Sequence, residues 1–523
     1  MARTGWDLIV VGAGSAGAAL AARSAERGRR VLLLEAGPDY RSAEMAEAWR
    51  SPNPGRALLD PAAARPLVWP GLDAARTEKQ PQAPYWRGRG AGGSSSVNGQ
   101  IAIRPPMADF DDWAAAGCTG WSRDDVLPYF AKLEDDEEFG DAPYHGRGGP
   151  TPVFRMPRER WGGVDGALCA AALAAGHPWE PDVNAPDGTG VSPYPINSRA
   201  GRRVSVNDAY LEPARGLPGL TVRGGALVDR VVFSGDRAVG VRVLDGADAV
   251  TEYADEIVLS AGVIHSPAIL LRSGVGPADD LRALGIGVRA RLPVGQGLQD
   301  HPMIVLELPL TPEAAITSQD DRHTNVCVRW TSAPDADPND MMFVSLNQNV
   351  LAMAAADTRL PSGGVGVWLN RTYSRGRLTL ASADPTVHPE VHERMLSDDR
   401  DLSRMRVGVR ALAALARGAE VATVLREGGR TLAAHNTALF AVLDDDAALD
   451  DHLLATAVDA QHGTSTCRMG ATSDAATVVG PDCRVLGLDG LRVVDASVFP
   501  SVPRANTNLT AIMVGELMAD RLG

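Results

Sequence analysis

Along the first 35 residues the apolar positions change rhythm twice. Asp7 to Val11 is a short apolar run, as expected of a strand buried on both faces. The segment "GAGSAGAALAARSAERG" then reads as a glycine turn and a helix, and "VLLLE" as a second strand ending at Glu35. Strand, turn and helix recur in "ADEIVLSAGVIHSPAILLRSGVGP". There the pattern predicts a strand over Glu256 to Ser260, a turn around Gly262 and a helix from about Ser266. The C-terminal "LRVVDASVFPSVPRANTNLTAIMVGELMADRL" predicts a strand ending at Asp495, a loop, and a long amphipathic helix with Asn506, Thr507 and Asn508 in its first turn. Between these blocks lie strand-like runs, "NDMMFVSLNQNVLAM" and "GVGVWLN", and a helical pattern in "DDRDLSRMRVGVRALAALARG". The whole predicts an α/β protein. Residues 1–154, 206–305 and 456–523 form a Rossmann-like domain, and 155–205 with 306–455 an interleaved domain of antiparallel sheet plus helices.

The glycines of the first turn carry chemistry. Gly12, Gly14 and Gly17 fill a G-x-G-x-x-G between a strand and a helix. The first allows the tight turn, the second brings backbone N–H groups up to a pyrophosphate, and the third lets helix and sheet pack closely. The following helix end offers free amides and a positive dipole. Glu35, eighteen residues after Gly17, is placed to accept hydrogen bonds from ribose hydroxyls. After Glu35 the chain does not continue with further βα units. It runs through Pro- and Ala-rich sequence into "YWRGRGAGGSSSVNGQIAIRP", a second amide-rich glycine segment. A cofactor site built from the beginning, middle and end of the chain fits FAD better than a nicotinamide dinucleotide.

Composition narrows the classes without naming one. The 523 residues are 45% hydrophobic and 22% charged, an ordinary globular composition, and their number calls for more than one core. A net charge of −14 and the lack of any Lys/Arg run argue against nucleic acid or an anionic membrane as partner. The five cysteines, Cys118, Cys169, Cys327, Cys467 and Cys483, are odd in number and never in a C-x-x-C pair. They suit free thiols in a reducing compartment, and neither a disulfide framework nor a metal site is expected. Apolar sequence begins within a few residues of Met1, with no room for a signal peptide, and no apolar run reaches the ~18 residues of a membrane span. A cytoplasmic protein is the expectation.

Five motifs, in order, resemble those of the glucose–methanol–choline (GMC) oxidoreductases, the family of FAD-dependent alcohol oxidases and dehydrogenases. "RGRGAGGSSSVNG" and "SAGVIHSPAILLRSGVGP" are similar to the family's two signatures. "LPVGQGLQDHP" resembles the segment that follows, with Gln296 and Gly297 where Arg and Asn are usual. "HGTSTCRMG" resembles the catalytic-histidine motif, with Gly463 and Ser465 departing from Pro and Gly. "VVDASVFPSVPRANTNLTAIMVGE" resembles the closing motif, and together they span essentially the whole chain.

The resemblance implies roles residue by residue. His462 would be the base that takes the hydroxyl proton of an alcohol while the hydride goes to flavin N5, work suited to an imidazole. Asn506 would be its partner, holding the alcohol oxygen and staying neutral. The pyrophosphate falls to Gly12, Gly14 and Gly17, and the ribose to Glu35. Gly92, Ser95 and Asn98 would lie along the phosphates or flavin ring, and Val228 beside the adenine. Asp495 with Ala496 would return to the pyrophosphate, and Asn508 would face the flavin pyrimidine. Val97 stands where some members carry a histidine bonded covalently to FAD, so the cofactor is expected to be non-covalent.

Other expectations are more modest. His301, in "QDHP", reads as a support for a loop near the cofactor, and His265 as structural. His145, His177, His323, His388, His392, His435 and His452 show no partner pattern, and Cys467 reads as packing. Val367 and Trp368, with Met341, Met342 and Phe343, are candidates for an apolar pocket wall. Such a wall suits an aromatic or other hydrophobic primary alcohol, as in the bacterial aryl-alcohol and hydroxymethylfurfural-type oxidases this chain resembles. Dioxygen is the expected electron acceptor. The alternatives within the family are a dehydrogenase using another acceptor and a flavin-containing hydroxynitrile lyase.

Overall fold

In the computed structural model, residues 5–523 are described except 59, 61, 63, 64, 246, 247, 349–361 and 429. The part of the run "NDMMFVSLNQNVLAM" beyond Gln348 therefore lies outside the described residues. In chain order the elements that frame the site are β1 (Trp6–Val11), α1 (Ser15–Glu26), β2 (Val31–Leu34), α2 (Gly163–Ala174), β3 (Gly190–Pro193), β4 (Leu220–Arg223), β5 (Val228–Ser234), β6 (Arg237–Asp245), β7 (Asp248–Leu259) and α3 (Gly262–Arg272). They continue with β8 (Pro302–Pro309), β9 (Val326–Trp330), β10 (Met341–Leu346), β11 (Ser362–Leu369), α4 (Asp399–Ala416), β12 (Val458–Asp459), β13 (Leu491–Val493) and α5 (Asn508–Leu522).

The first sheet runs β4-β2-β1-β7-β6-β5, with β13 also on β7. Its core, β4-β2-β1-β7-β13, is parallel throughout. Both faces of such a sheet are covered, which is why β1 and β2 are almost wholly apolar and buried. β7 is twelve residues long and does two jobs. Its second half, residues 254–259, joins the parallel core, while its first half turns back on β6 in an antiparallel ribbon. The helix α3 begins at Gly262, four residues before the start read from the sequence, and carries Pro267 inside it. A proline near a helix start is ordinarily in its first turn, and that preference misplaces the boundary. The final helix likewise starts at Asn508, leaving Asn506 in the loop before it.

The second sheet, β12-β8-β11-β10-β9-β3, is antiparallel at every pairing. It takes strands from residue 190 to residue 459, so it reaches a few residues beyond the 306–455 block on both sides. Alternation divides its side chains cleanly. Ile304, Leu306, Val328, Phe343, Val365 and Val367 face α2 and α4 in one core cluster. Met303, Cys327, Met342, Val344 and Trp368 face the other way. Among the described residues no helix is long and apolar enough to cross a membrane.

A buried charge cluster stitches the segment after the second glycine loop to the margin of this sheet. Both ring nitrogens of His145 meet carboxylates, Nδ1 at 2.6 Å from Glu134 and Nε2 at 2.8 Å from Asp182. Arg155 pairs with Asp136 and Asp182 at 2.8 and 2.7 Å, and Arg104 pairs with Glu134. Three carboxylates against two guanidiniums balance when His145 is an imidazolium. Burial opposes that charge, but the bonds to Asp182 and Glu134 prevail and raise its pKa above the ordinary value. A raised folded-state pKa means stability fully present below about pH 6.5 and lost as pH rises through the folded value. Thermal unfolding of the FAD-loaded protein should therefore show a melting point that falls on going from about pH 6 to pH 9. The variant His145→Ala should lose about 3–5 kcal/mol at the acidic end, as for a broken buried ion pair.

Candidate active site

An elongated cavity of about 410 Å³ runs from the carboxyl ends of β1, β2 and β7 to the second sheet. Open parallel sheets bind ligands at that edge, because the loops and helix ends there leave backbone amides free. One end is lined by Gly12, Gly14, Glu35, Val228, Asp495 and Ala496. The other is lined by Met303, Tyr194, Trp368, His462 and Asn506.

At the first end, Gly12 has φ +105°, and a Cβ there would stand 2.4 Å from the Ser260 carbonyl. Gly14 caps α1 with no side-chain hydrogen bond, so the first amides of the helix stay available. A Cβ on Gly14 would meet nothing nearer than Gly93 at 4.0 Å and would fill part of the cavity. Gly17 is not at the cavity. A Cβ there would lie 2.1 Å from the Gly12 carbonyl, so it serves the close packing of α1. The Glu35 carboxylate accepts from Ala13 N–H at 2.9 Å, Gly37 N–H at 2.8 Å and Gly90 N–H at 2.9 Å. Burial raises its pKa and these three donors oppose the rise. It faces the cavity while tying three loops together.

The second glycine segment corrects two further expectations. Gly92 and Ser95 do not line the cavity. A Cβ on Gly92 would strike Ser96 Oγ, and Ser95 Oγ donates to the Gly92 carbonyl at 2.7 Å while accepting from Val206 N–H at 3.0 Å. Their neighbours Gly93, Ser94, Val97 and Asn98 form the lining instead. Asn98 Oδ1 accepts from Arg203 at 3.0 Å. Asp495 accepts from Ser497 and Gly262 N–H and from Ser266 Oγ, at 2.8, 2.9 and 2.6 Å. Asn508 accepts from Ser15 Oγ at 2.7 Å, joining the N-termini of α5 and α1.

At the second end, β12 pairs with the start of β8, Asp459 opposite Pro302. That pairing brings His301 and His462 side by side, Nδ1 to Nδ1 at 3.0 Å. His301 Nε2 lies 3.1 Å from the Asn370 carbonyl, which only accepts, so Nε2 carries the proton. Burial holds His301 neutral, its pKa lowered to about 4, so its Nδ1 is bare and must accept from His462 Nδ1–H. His462 Nε2 is then bare as well, and Asn506 Nδ2 donates to it at 2.9 Å. Asn506 Oδ1 accepts from the Tyr194 hydroxyl at 2.7 Å, which fixes the amide in that orientation. Burial also holds the His462 pKa well below its ordinary value, with His301 and Arg87 adding to the effect. The arrangement presents one unprotonated nitrogen beside a neutral amide in an apolar enclosure.

Trp368 stands edge-on to His462, ring centroids 5.8 Å apart, and its Nε1 donates to Asn370 Oδ1 at 2.6 Å. Val367, one residue away, faces α4 on the opposite side of the sheet and is not part of the wall. Met341 and Phe343 lie with it, while Met303 and Val344 line the cavity beside Trp368. Sequence reasoning missed Tyr194 and the contact between His301 and His462. The motif "QDHP" marks His301, but its partner is 161 residues away in sequence. His265 stacks on Trp69 at 4.1 Å and also reaches the cavity.

The GMC oxidoreductase family models match residues 6–303 and 372–515. The chain belongs to the GMC oxidoreductase family. The 5-(hydroxymethyl)furfural oxidase of Methylovorus sp. (strain MP688) is 36% identical over 542 residues, covering 100% of this chain and 99% of its own. The mitochondrial choline dehydrogenase of Homo sapiens is 34% identical, covering 99% of this chain and 90% of its own. The solved structure of pyridoxine 4-oxidase from Mesorbium loti superposes with a TM-score of 0.87 at 28% identity, over 99% of both chains. As a GMC oxidoreductase the protein is an FAD-dependent alcohol oxidase or dehydrogenase. The cavity fits that cofactor on its own evidence: an uncapped helix N-terminus, a glycine whose missing Cβ leaves the space open, and a carboxylate at the end of β2.

The histidine pair makes a prediction. His301→Leu removes the acceptor for His462 Nδ1–H and lets the proton move to Nε2. Flavin reduction by an alcohol should slow about 10–100-fold, as when the group that orients a working imidazole is lost. His301→Gln, whose amide can both accept from His462 and donate to Asn370, should restore most of the rate in stopped-flow measurements.

Proposed function

We propose that this GMC oxidoreductase oxidises a hydrophobic or aromatic primary alcohol to its aldehyde, with His462 as base, Asn506 as its partner and dioxygen as electron acceptor. The observation that carries the reading is the bare Nε2 of His462 beside Asn506 Nδ2, enclosed by Trp368, Met303 and Val344. Asn506 holds the alcohol oxygen, and His462 Nε2 receives the hydroxyl proton. The imidazolium formed keeps its Nδ1–H on His301. FAD, when bound, supplies the acceptor for the hydride that leaves the alcohol carbon.

The residues toward FAD are read the same way. Gly12, Gly14 and the free amides of α1 hold the pyrophosphate, with Asp495 and Ala496 nearby. Glu35 serves the ribose, Val228 the adenine, and Asn98 with Asn508 the flavin end. The parallel sheet is thus the cofactor half, and the antiparallel sheet is the substrate half. Val97 lines the cavity and has no group that could bond to carbon, which supports non-covalent FAD. The apolar wall and the resemblance to an oxidase of 5-(hydroxymethyl)furfural both support a ring-bearing hydroxymethyl substrate.

The test is anaerobic mixing with aryl, furanic and aliphatic alcohols, followed by air. Bleaching of the flavin by ring-bearing alcohols with prompt recovery in air is the expected result. Bleaching that persists in air would replace dioxygen by another acceptor, and no bleaching by any alcohol would overturn the reading. His462→Ala should keep acid-releasable FAD yet reduce it about 10²–10⁴-fold more slowly, the usual loss for a general base. Because the neutral imidazole is the working form and its pKa is lowered, the acid limb of the wild-type rate should lie well below pH 6.5.

A further inference from the structure

Three buried carboxylates, Asp300, Glu393 and Asp459, bring oxygens within 4.8 Å of one another. They come from the loop before β8, the residue after the short strand Glu390–His392, and the end of β12. An oxygen of Asp300 also lies within 4.8 Å of a ring nitrogen of each of His301 and His462. Among the described residues two guanidiniums face the group. Arg76 Nε binds Asp459 Oδ2, and an Arg87 terminal nitrogen is 3.7 Å from Asp300 Oδ2, with the guanidinium over the Tyr85 ring. Three carboxylates against two guanidiniums leave one negative charge over. A divalent cation would overshoot that balance by one charge, whereas a single proton closes it.

Hydrogen bonding says where the proton sits. Asp300 accepts from the backbone N–H of His301 and His462 at 2.7 and 2.9 Å, and from the Tyr85 hydroxyl at 3.3 Å. Asp459 accepts from Arg76 and from Gln461 N–H at 3.1 Å. Glu393 is 1% exposed, and among the described residues neither of its oxygens meets a donor. A buried carboxylate with no donor is the costliest ion of the three, while a carboxyl group has a hydrogen to give to the oxygens beside it. We propose that Glu393 holds one proton at neutral pH and that it is thereby a positioning residue for His462, fixing the charge beside the imidazole at that of an ionised, backbone-anchored Asp300. Burial, then repulsion from Asp459 and Asp300, pushes the Glu393 carboxyl well above its usual range; burial and Asp459 raise Asp300 too, but Arg87 and the backbone N–H groups of His462 and His301 oppose that rise. Such neighbours titrate as one unit. Loss of the Glu393 proton would add a full negative charge beside Asp300, one carboxylate away from His462, and raise the imidazole's proton affinity.

The effect on rate rests on His462 being the base; the proton on Glu393 does not. Infrared difference spectra of the FAD-loaded protein, wild type minus Glu393→Gln, should show one protonated-carboxyl band at about pH 7. Asp459→Asn should lose that band at the same pH, because two carboxylates then match two guanidiniums. An ionised-carboxylate band in place of the protonated one would overturn the proposal. So would a band that persists in Asp459→Asn, and this variant with the wild-type pH titration decides the matter if Glu393→Gln does not fold. In anaerobic flavin reduction, an alkaline inflection in the wild-type pH profile should be lost in Glu393→Gln. An unchanged inflection would remove the positioning role. If no alcohol reduces the flavin, the functional reading fails while the infrared result still stands or falls by itself.

Discussion

The carbonyl oxygen of Asn370 has no proton to give, so His301 must present Nε2–H to it, and the other protons of the site follow in turn. His301 Nδ1 can then only accept, His462 Nδ1 must donate, and the nitrogen facing Asn506 is left bare. The Tyr194 hydroxyl closes the far end of the chain by occupying the amide oxygen of Asn506. A fixed acceptor in a buried enclosure thus specifies two tautomers and one amide orientation. In water each of these would interconvert freely. Here an inverted member would set two bare nitrogens or two N–H groups against each other, at the cost of buried unpaired groups.

That fixed acceptor is only useful because two unlike sheets meet at one cavity. The parallel sheet supplies what a dinucleotide needs, namely helix ends and backbone amides beside strand termini. The antiparallel sheet supplies a rigid wall on which alternate residues point to opposite sides. A junction within the antiparallel sheet, the pairing of β8 with β12, delivers His301 from just before one strand and His462 from just after the other. The acid group Asp300, Glu393 and Asp459 is packed at this same junction, so charge, register and base position are set together.

What could be read from the sequence was local. The rhythm of apolar residues located β1, α1 and β2, and the glycine spacing marked the first loop, because both signals lie within about 30 residues of chain. The ordered motifs named the family and pointed to His462 and Asn506. The sequence could not say which face of an alternating strand looks into the cavity, so Val367 and Trp368 were indistinguishable until α4 was seen on one side. In a run of small polar residues it could not tell Gly92 and Ser95, which bond to their own loop, from Gly93 and Ser94, which line the cavity. Partners hundreds of residues apart, such as Tyr194 and Asn506, leave no periodic trace at all.

Ser15 at the start of α1 bonds to Asn508 at the start of α5, 493 positions later, and the Cβ missing from Gly515 lets the α1 backbone at Ala16 come into contact. The chain is made from its N-terminus, at a pace of several residues per second. The glycine loop therefore leaves the ribosome 493 residues ahead of its closing neighbour. Through that interval the glycine loop has one wall missing, and the α1 face that α5 will cover lies bare. The finished cradle therefore exists only once α5 has been made and has packed against α1.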